Sequence, residues 1–587
     1  MLPRRLTLAA VPLALGAVVL AGCAVQSAAS DSDASSTDAS TSTESTTETQ
    51  TAAVVDSDLD ADAVRAANAD VTHVNDDEWS ESDAVDVDLD GSTASSASDA
   101  VSVDGSTVTI SAGGVFRLSG DLDGQIVVAA PDDAQVVLIL DGVDIDASDS
   151  SAITVTTADD VAIVLADGSD NTVSDTDTYA DDAEANAAIY ADADLTISGE
   201  GTLTVNGNGN DGIASTDDLV IMSGTITVDA VDDALRGKDA LVIEGGTVDL
   251  TAEGDALKSD QDEDATQGFI DVSGGEITAI SGDDGFAAAT DVVITGGTVA
   301  VTAGSDASAS DDSPKGISAG VVVALDGGDI TVDAVDDAVH SDGSVGIGGA
   351  TLALTTGDDG VHAEQTLEIR SGDVTVSESV EGLEATDIVI SGGSVEIASS
   401  DDGINAASGS ASTSGGMGGG GGGGETDTGE TVTISGGTVV VTSRGDGIDS
   451  NGSMAFTGGT TVVSGPSSSG GEGSLDANGT ITIDGGELYV AGSTLHVPEG
   501  SQSWVAAAVS GSAGDTIEIT DASGAVIASF EAGREFSAAF YSGPAITAGE
   551  SFTLSTDAGT ATATAGEGLT ESMGGGGQGG GPGGARP

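Results

Sequence analysis

The sequence predicts an all-β chain wound as a right-handed parallel β-helix, about 22 residues per coil, closed by a small C-terminal β cap. Three observations carry this. A short signature of one or two acidic residues, a small residue and one apolar residue recurs along the chain, as in NDGIAS from Asn210, GDDGFAA from Gly282 and GDGIDSNG from Gly445. Between signatures the pattern is apolar-x-apolar, a glycine turn, then x-apolar-x-apolar, as in LVIEGGTVDL at 241 and TVTISGGTVVV at 431. Period-two alternation means strands with one buried face, and glycine supplies the turn between them. Aromatic residues are only 2% of the chain, which fits a core of thin, stacked aliphatic layers. A β-propeller needs longer units of about four strands.

The elements follow in order. Residues 1–22 read as a leader: Arg4 and Arg5 precede the apolar run Leu6 to Leu20, and LAGC ends at Cys23. LAGC resembles a bacterial lipobox, which implies lipidation at Cys23, export, and a tether on the extracellular face of the cell membrane. Cys23 is the one cysteine, so disulfides are excluded. Residues 23–70, rich in Ser, Thr, Asp and Ala, read as a disordered spacer. Residues 71–185 (STVTISAGG, VVLILDGVDI, VAIVLADG) read as an N-terminal β cap with the first irregular coils. The regular β-helix is expected over 186–498. Its apolar marks are Ile213, Leu235, Leu257, Phe286, Ile317, Val339, Val361, Leu383, Ile404, Ile448 and Leu475. Insertions after Lys258, Gly304 and Ala407, the last with the glycine run 415–424, belong on outer loops. Residues 499–566 read as a hairpin cap over the exposed strand edges, and 567–587 as a Gly-rich disordered tail.

The formal net charge is −88, from 100 acidic and 12 basic residues. This excludes nucleic acid and anionic lipid as surface partners and favours cations. A solubilising surface adapted to high salt is the other reading. Stacked coils set the acidic signatures above one another, giving a ladder: Asp211, Asp232 and Asp233, Asp255, Asp283 and Asp284, Asp336 and Asp337, Asp358 and Asp359, Asp401 and Asp402, and Asp446. Two carboxylates about 5 Å apart repel by roughly 3 kcal/mol at an effective dielectric of 20. Bound calcium relieves this, because it takes six to eight oxygens in irregular geometry. Zinc is a poor candidate in a chain with one cysteine and four histidines. The competing reading is turn chemistry, which explains single aspartates better than pairs.

The residue after each apolar mark forms a second column that includes Arg236, Lys258, His340, His362, Glu384 and Asn405. These are the candidate carbohydrate contacts, with local charge compensation as the plainer alternative. Exposed aromatics form no evident row, so stacking on crystalline cellulose is not favoured.

The chain closely resembles the bacterial carbohydrate-binding domain-containing family, a secreted β-helix group related in fold to pectate lyases. The residues that carry this are HVNDDEWS at 73, LILDGVDI at 138, AAIYADADLTISGEGTLTVNGNGNDGIAS at 187, AVDDALRGKDALVIEGGT at 230, GDALKSDQDEDATQGFI at 254, VDDAVHSDG at 335, GDDGVHAEQTLEI at 357, VEGLEATDIVISGG at 380 and GDGIDSNGSM at 445. The resemblance implies calcium-stabilised coils and binding of plant-wall polysaccharide, cellulose or acidic pectic sugars. It implies adhesion more than catalysis, and metal on the matching turns, notably Asp232, Asp233, Asp255, Asp283 and Asp284. Two alternatives stay open. One is a calcium-dependent polysaccharide lyase with Lys258, or next Arg236, as the base. The other is a surface scaffold whose calcium is purely structural. A monomer is expected.

Overall fold

The structure is a computed structural model that describes residues 59–568 except 76, 181–182, 305–312, 409–425, 468–472 and 494–495. The leader, Cys23, the spacer up to residue 58, the glycine run and the tail from 569 lie outside the described residues. The chain is all-β. Among the described residues there are 47 strands, of which 43 share one sheet.

Pairing in that sheet is parallel and repeats three strands on. Asp211–Ser215 pairs with Leu235–Gly237, then Leu257–Ser259, Phe286–Ala288, Ile317–Ala319, Val339–Ser341 and Val361–Ile369. A second ladder runs from Asp218–Ile221 through Ala240–Ile243, Phe269–Val272 and Asp291–Ile294 to Val322–Leu325. A third runs from Thr202–Gly207 through Thr225–Ala230, Thr247–Ala252, Glu276–Ser281 and Thr298–Ala303 to Asp329–Ala334. In the third ladder Thr, Asp and Glu face out while Ile226, Val248, Ile277, Val299 and Ile330 face in, at 1% exposure or less. Branched aliphatics suit such a half-buried pleat. The turn between second and third ladders needs a left-handed residue, met by Gly246 (φ 92°) and Gly297 (φ 90°).

Two features differ from the sequence reading. First, coils expected to be irregular upstream of residue 186 stand in the same parallel register as the later ones. Ile126, Ile153, Ile189 and Ile213 already stand in one register. The upstream edge is covered by antiparallel pairings of Val85–Gly91 with Ala94–Ser96 and of Val101–Asp104 with Thr107–Ile110. Second, the described end of the expected spacer is ordered against the sheet. Ala61–Ala67 is a helix, capped by the Asp60 carboxylate accepting from the Ala63 N–H at 2.9 Å. Its Ala61 and Val64 bury against Val293 and Ala324, and Arg65 donates to Asp271 at 2.6 Å. The chain then continues along the same face, with the Ala69 N–H on the Thr266 carbonyl at 2.8 Å and the Val74 N–H on Thr196 Oγ1 at 2.9 Å. Val74 and Trp79 cover Val137, Ile139, Ala162 and Val164. Composition pointed to disorder, but this face carries apolar residues that need a cover. Trp504 lies in the main core, stacked on Phe540 at 5.5 Å.

The C-terminal hairpins are present as a separate four-stranded antiparallel sheet, Thr516–Thr520, Val526–Glu531, Ser551–Thr556 and Gly559–Thr564. It packs with Tyr489, Tyr541 and Phe536 as a second core. Among the described residues no helix is long and apolar enough to cross a membrane.

Candidate functional site

The acidic signature marks the turn that enters the first ladder. Its small residue sits where two neighbouring repeats nearly touch. A Cβ on Gly285 would meet Val301 Cγ1 at 2.2 Å and the Gly316 carbonyl oxygen at 2.5 Å. Gly403 is equally tight, 2.1 Å from Val441 Cγ1. The apolar residue that follows is fully buried from Ile213 to Ile448, and Leu475 closes the column at 8% exposure.

The acidic residue nearest that glycine or alanine turns inward and holds the next repeat. The Asp255 N–H donates to Asp233 Oδ1 at 2.9 Å, the Asp284 N–H to Asp255 Oδ1 at 3.0 Å, and the Lys315 N–H to Asp284 Oδ1 at 2.7 Å. The pattern resumes with the Asp359 N–H on Asp337 Oδ1 at 3.1 Å and the Asp446 N–H on Asp402 Oδ1 at 2.5 Å. One oxygen of each carboxylate thus replaces a ladder hydrogen bond, so most of these groups are buried: Asp233 at 4%, Asp255 at 6%, Asp337 at 4%, Asp359 at 5%. Their outer partners Asp232, Asp358 and Asp401 are exposed. This is turn chemistry reaching across repeats, and it accounts for one aspartate of each pair.

The remaining oxygens meet cations where the chain supplies them. Lys258 Nζ lies 3.0 Å from Asp233 Oδ2 and 2.8 Å from Asp255 Oδ2. Burial pulls the Lys258 ammonium down, but Asp255 and Asp233 outweigh it and hold it above its ordinary value. Burial lifts Asp255 to about 6 even with that ammonium beside it, so at neutral pH the pair is still ionised. Lys258 is thus held as an ammonium between two carboxylates. Arg236 donates to Asp260 Oδ2 at 2.7 Å. Lys315 reaches Asp336 Oδ2 at 2.7 Å. His340 Nδ1 lies 2.8 Å from Asp337 Oδ2 and His362 Nδ1 3.0 Å from Asp359 Oδ2, with the two rings 5.0 Å apart. Burial opposes ionisation of Asp337, yet the His340 hydrogen bond and both imidazoles hold it below its ordinary value.

Elsewhere like charges accumulate and outweigh the nearby cations. Burial, with Asp233 and Asp232 adding, pushes Asp211 up to about 7. Burial, with Asp255 and Asp283 adding, takes Asp284 to about 7 against the Lys315 amide and ammonium, and burial with Asp401 adding takes Asp402 to about 7. Burial and the Glu381 carboxylate push Glu384 well up, so this pair holds a proton at neutral pH.

Three all-carboxylate groups bring ligand oxygens within 4.8 Å of one another: Asp211, Asp232 and Asp233; Asp336, Asp337 and Asp358; and Asp402, Asp446 and Asp449. Two further groups include imidazole: Asp337, His340 and His362; and Asp359, His362 and Glu384. Among the described residues, Asp255, Asp283, Asp284 and Asp401 fall in none of them. Asp255 instead faces Lys258. The predicted contact column is in register, Arg236 with Lys258, His340 with His362 and Glu384, then Glu384 with Asn405. His362, Glu384 and Asn405 line one pocket of about 520 Å³ with Asp336, Asp337, Asp358 and Asp359. Arg236 and Lys258 lie outside that pocket.

Sequence reasoning missed Glu381, whose Oε2 accepts from Asn405 Nδ2 at 2.8 Å. VEGLEA carries Glu where other repeats carry Asp pairs, which was the available signal. It also missed a second acidic pocket of about 270 Å³ lined by Asp194, Asp217, Asp218 and Asp239. These open the second ladder in ADADLTI, STDDLVI and GKDALVI.

A family model described as "Carbohydrate-binding domain-containing protein" matches residues 104–360 and 358–529. A protein of that description from Acetivibrio thermocellus is 36% identical over 137 residues, which is 22% of this chain and 48% of the relative. The chain thus spans about half the length of that curated relative. A solved structure titled as the polysaccharide lyase-like protein from C. thermocellum, gadolinium derivative, is 31% identical. It covers 46% of this chain and 99% of its own, with a TM-score of 0.37.

Proposed function

The chain belongs to the carbohydrate-binding domain-containing protein family, and on that premise we propose that it is a non-catalytic, cell-surface receptor for plant-wall polysaccharide, acidic pectic sugar or cellulose. The ladders wind as a right-handed parallel β-helix in this reading. Its support is the parallel register three strands on and the unbroken buried column from Ile213 to Ile448. Lipid on Cys23 tethers the protein outside the cell.

Calcium is the metal of this reading, held by Asp211, Asp232 and Asp233, by Asp336, Asp337 and Asp358, and by Asp402, Asp446 and Asp449. These residues fit a hard cation: every donor is a carboxylate oxygen, and burial and neighbouring carboxylates have raised Asp211 and Asp402 to about 7. Bound calcium supplies charge neutralisation and a bridge to a sugar carboxylate. Asp255 is served by Lys258 instead.

The single observation that carries the glycan reading is the pocket in which His362, Glu384 and Asn405 stand beside Asp336, Asp337 and Asp358. It sets hydrogen-bonding side chains next to a candidate cation group on one face. Lys258, the sequence-based candidate base, is fixed as an ammonium between two carboxylates, which favours binding over cleavage. Affinity electrophoresis tests this. Wild-type protein should be retarded in gels containing polygalacturonate or hydroxyethylcellulose, and His362→Ala and Asn405→Ala should be retarded less. No unsaturated uronate product should form. Equal mobility of wild type with and without every glycan would sink the proposal.

A further inference from the structure

With 12 basic residues against 100 acidic ones, the setting of each basic side chain carries information. Arg65, Arg117, Arg236, Arg370, Lys258 and Lys315 each face a carboxylate. Lys238, Arg444 and Arg534 make no ion pair among the described residues, and of these the two arginines stand together. Both line a pocket of about 470 Å³ between the third ladder and the C-terminal sheet, with Ser379, Ser399 and Thr442, and Glu378 exposed beside them.

Arg444 follows the strand Thr438–Thr442 in the signature TSRGDGID. Arg534 comes from the turn after Val526–Glu531 and donates to the Ser443 carbonyl. That turn is fixed by the Gly533 N–H on Ser464 Oγ at 2.9 Å. Burial and the neighbouring Arg444 both push the Arg534 guanidinium down. Among the described residues no carboxylate lies within ion-pair distance of either guanidinium, so an added anion would meet two like charges held together. Ser379 adds an independent sign: it is 4% exposed, lines the same pocket, and its Oγ has no partner. Planar guanidinium forks match an oxyanion, and the hydroxyls around them match sugar hydroxyls.

We propose that the Arg444–Arg534 pocket is a metal-independent subsite for the oxyanion of an acidic sugar, a uronate carboxylate or a sugar sulfate. It rests on the carbohydrate-binding reading and adds to it a site remote from the acidic ladder. The chain then has two ways to hold acidic glycan, one through cations and one through its own arginines.

The test is calorimetric titration of the full-length protein with digalacturonate, with galactose 6-sulfate and with neutral galactobiose, in calcium. Wild type should bind one or both acidic sugars and not galactobiose. Arg444→Gln and Arg534→Gln should each weaken that binding by about tenfold or more. Arg444 is exposed, so its variant should keep the wild-type circular dichroism spectrum and decides the question if Arg534→Gln unfolds. The two acidic arms separate a carboxylate from a sulfate ligand. Absence of binding by both acidic sugars, or equal affinity in Arg444→Gln and wild type, overturns the subsite. Retardation by polysaccharide gels, measured in parallel, separates the failures. If retardation persists while the arginine effect is absent, only the subsite falls. If retardation is also lost, the receptor reading falls with it.

Discussion

Replacing Lys258 by Met removes one charge from between two ladder carboxylates and keeps the aliphatic stem. Its ammonium lies 3.0 Å from Asp233 and 2.8 Å from Asp255, whose side chains are 6% and 8% exposed. At an effective dielectric of 20 each contact is worth roughly 6 kcal/mol gross. Lys258 is itself 31% exposed, so water screens it and the variant recovers the desolvation of the ammonium. A net loss of about 2–4 kcal/mol remains, because two buried carboxylates are left facing each other. Urea unfolding followed by circular dichroism at neutral pH reads this as a lower midpoint at unchanged slope. In chelator Lys258→Met should be the less stable protein. In calcium the gap should narrow, since the vacated oxygens then resemble the all-carboxylate groups. A variant as stable as wild type in chelator would refute the claim that Lys258 is the resident counter-ion.

Stability should depend on pH with a defined sign. Asp211, Asp284 and Asp402 are raised from 3.8 to about 7, so the folded chain keeps protons that the unfolded chain loses from about pH 4. The stability they contribute is full below the unfolded value and is lost as pH rises through the folded one. Metal-free protein should therefore melt lower at pH 8 than at pH 5, and saturating calcium should remove most of that difference; a higher melting point at pH 8 without metal contradicts this. Gly403→Val should cost about 2–3 kcal/mol in chemical denaturation, because its Cβ would lie 2.1 Å from Val441 Cγ1 and 2.6 Å from the Gly447 carbonyl oxygen. Val64→Asp, at a position 4% exposed against Val293 and Ala324, should cost about 2–3 kcal/mol and speed hydrogen exchange in residues 59–74; unchanged exchange there would mean the segment does not hold the sheet.

Much of the register was legible because one physical constraint repeats. Each row needs a small residue at a close approach, an apolar residue inside and an acid at the turn, so Asp-Gly-apolar marks the same position each time. Every mark from Ile213 to Leu475 stands in one column. Rows without that acid offer no mark to align on, which is why Ile126 and Ile153 fall in the stretch read as a cap with irregular coils. The helix Ala61–Ala67 was missed because seven residues are too few for a helical period to emerge from Ser, Asp and Ala. Its signal lay elsewhere, in strands such as VVLIL at 136 that are apolar on both faces and so demand a cover. The aspartate ladder was visible, but not the division of labour within each pair. A carboxylate that accepts the next repeat's amide and one that is left for a cation look the same in sequence. Lys258 faces Asp255 three residues back in its own row and Asp233 one row away, and only the fold brings the second of these to it.

The central claim is that cations on the acidic ladder join this protein to an acidic glycan. Calorimetric titration of polygalacturonate into the full-length protein, with calcium and again after chelation, tests it most directly, with the fold followed by circular dichroism. The account predicts binding in calcium that weakens on chelation while the β spectrum persists. No binding in calcium, or binding of unchanged strength after chelation, would contradict it.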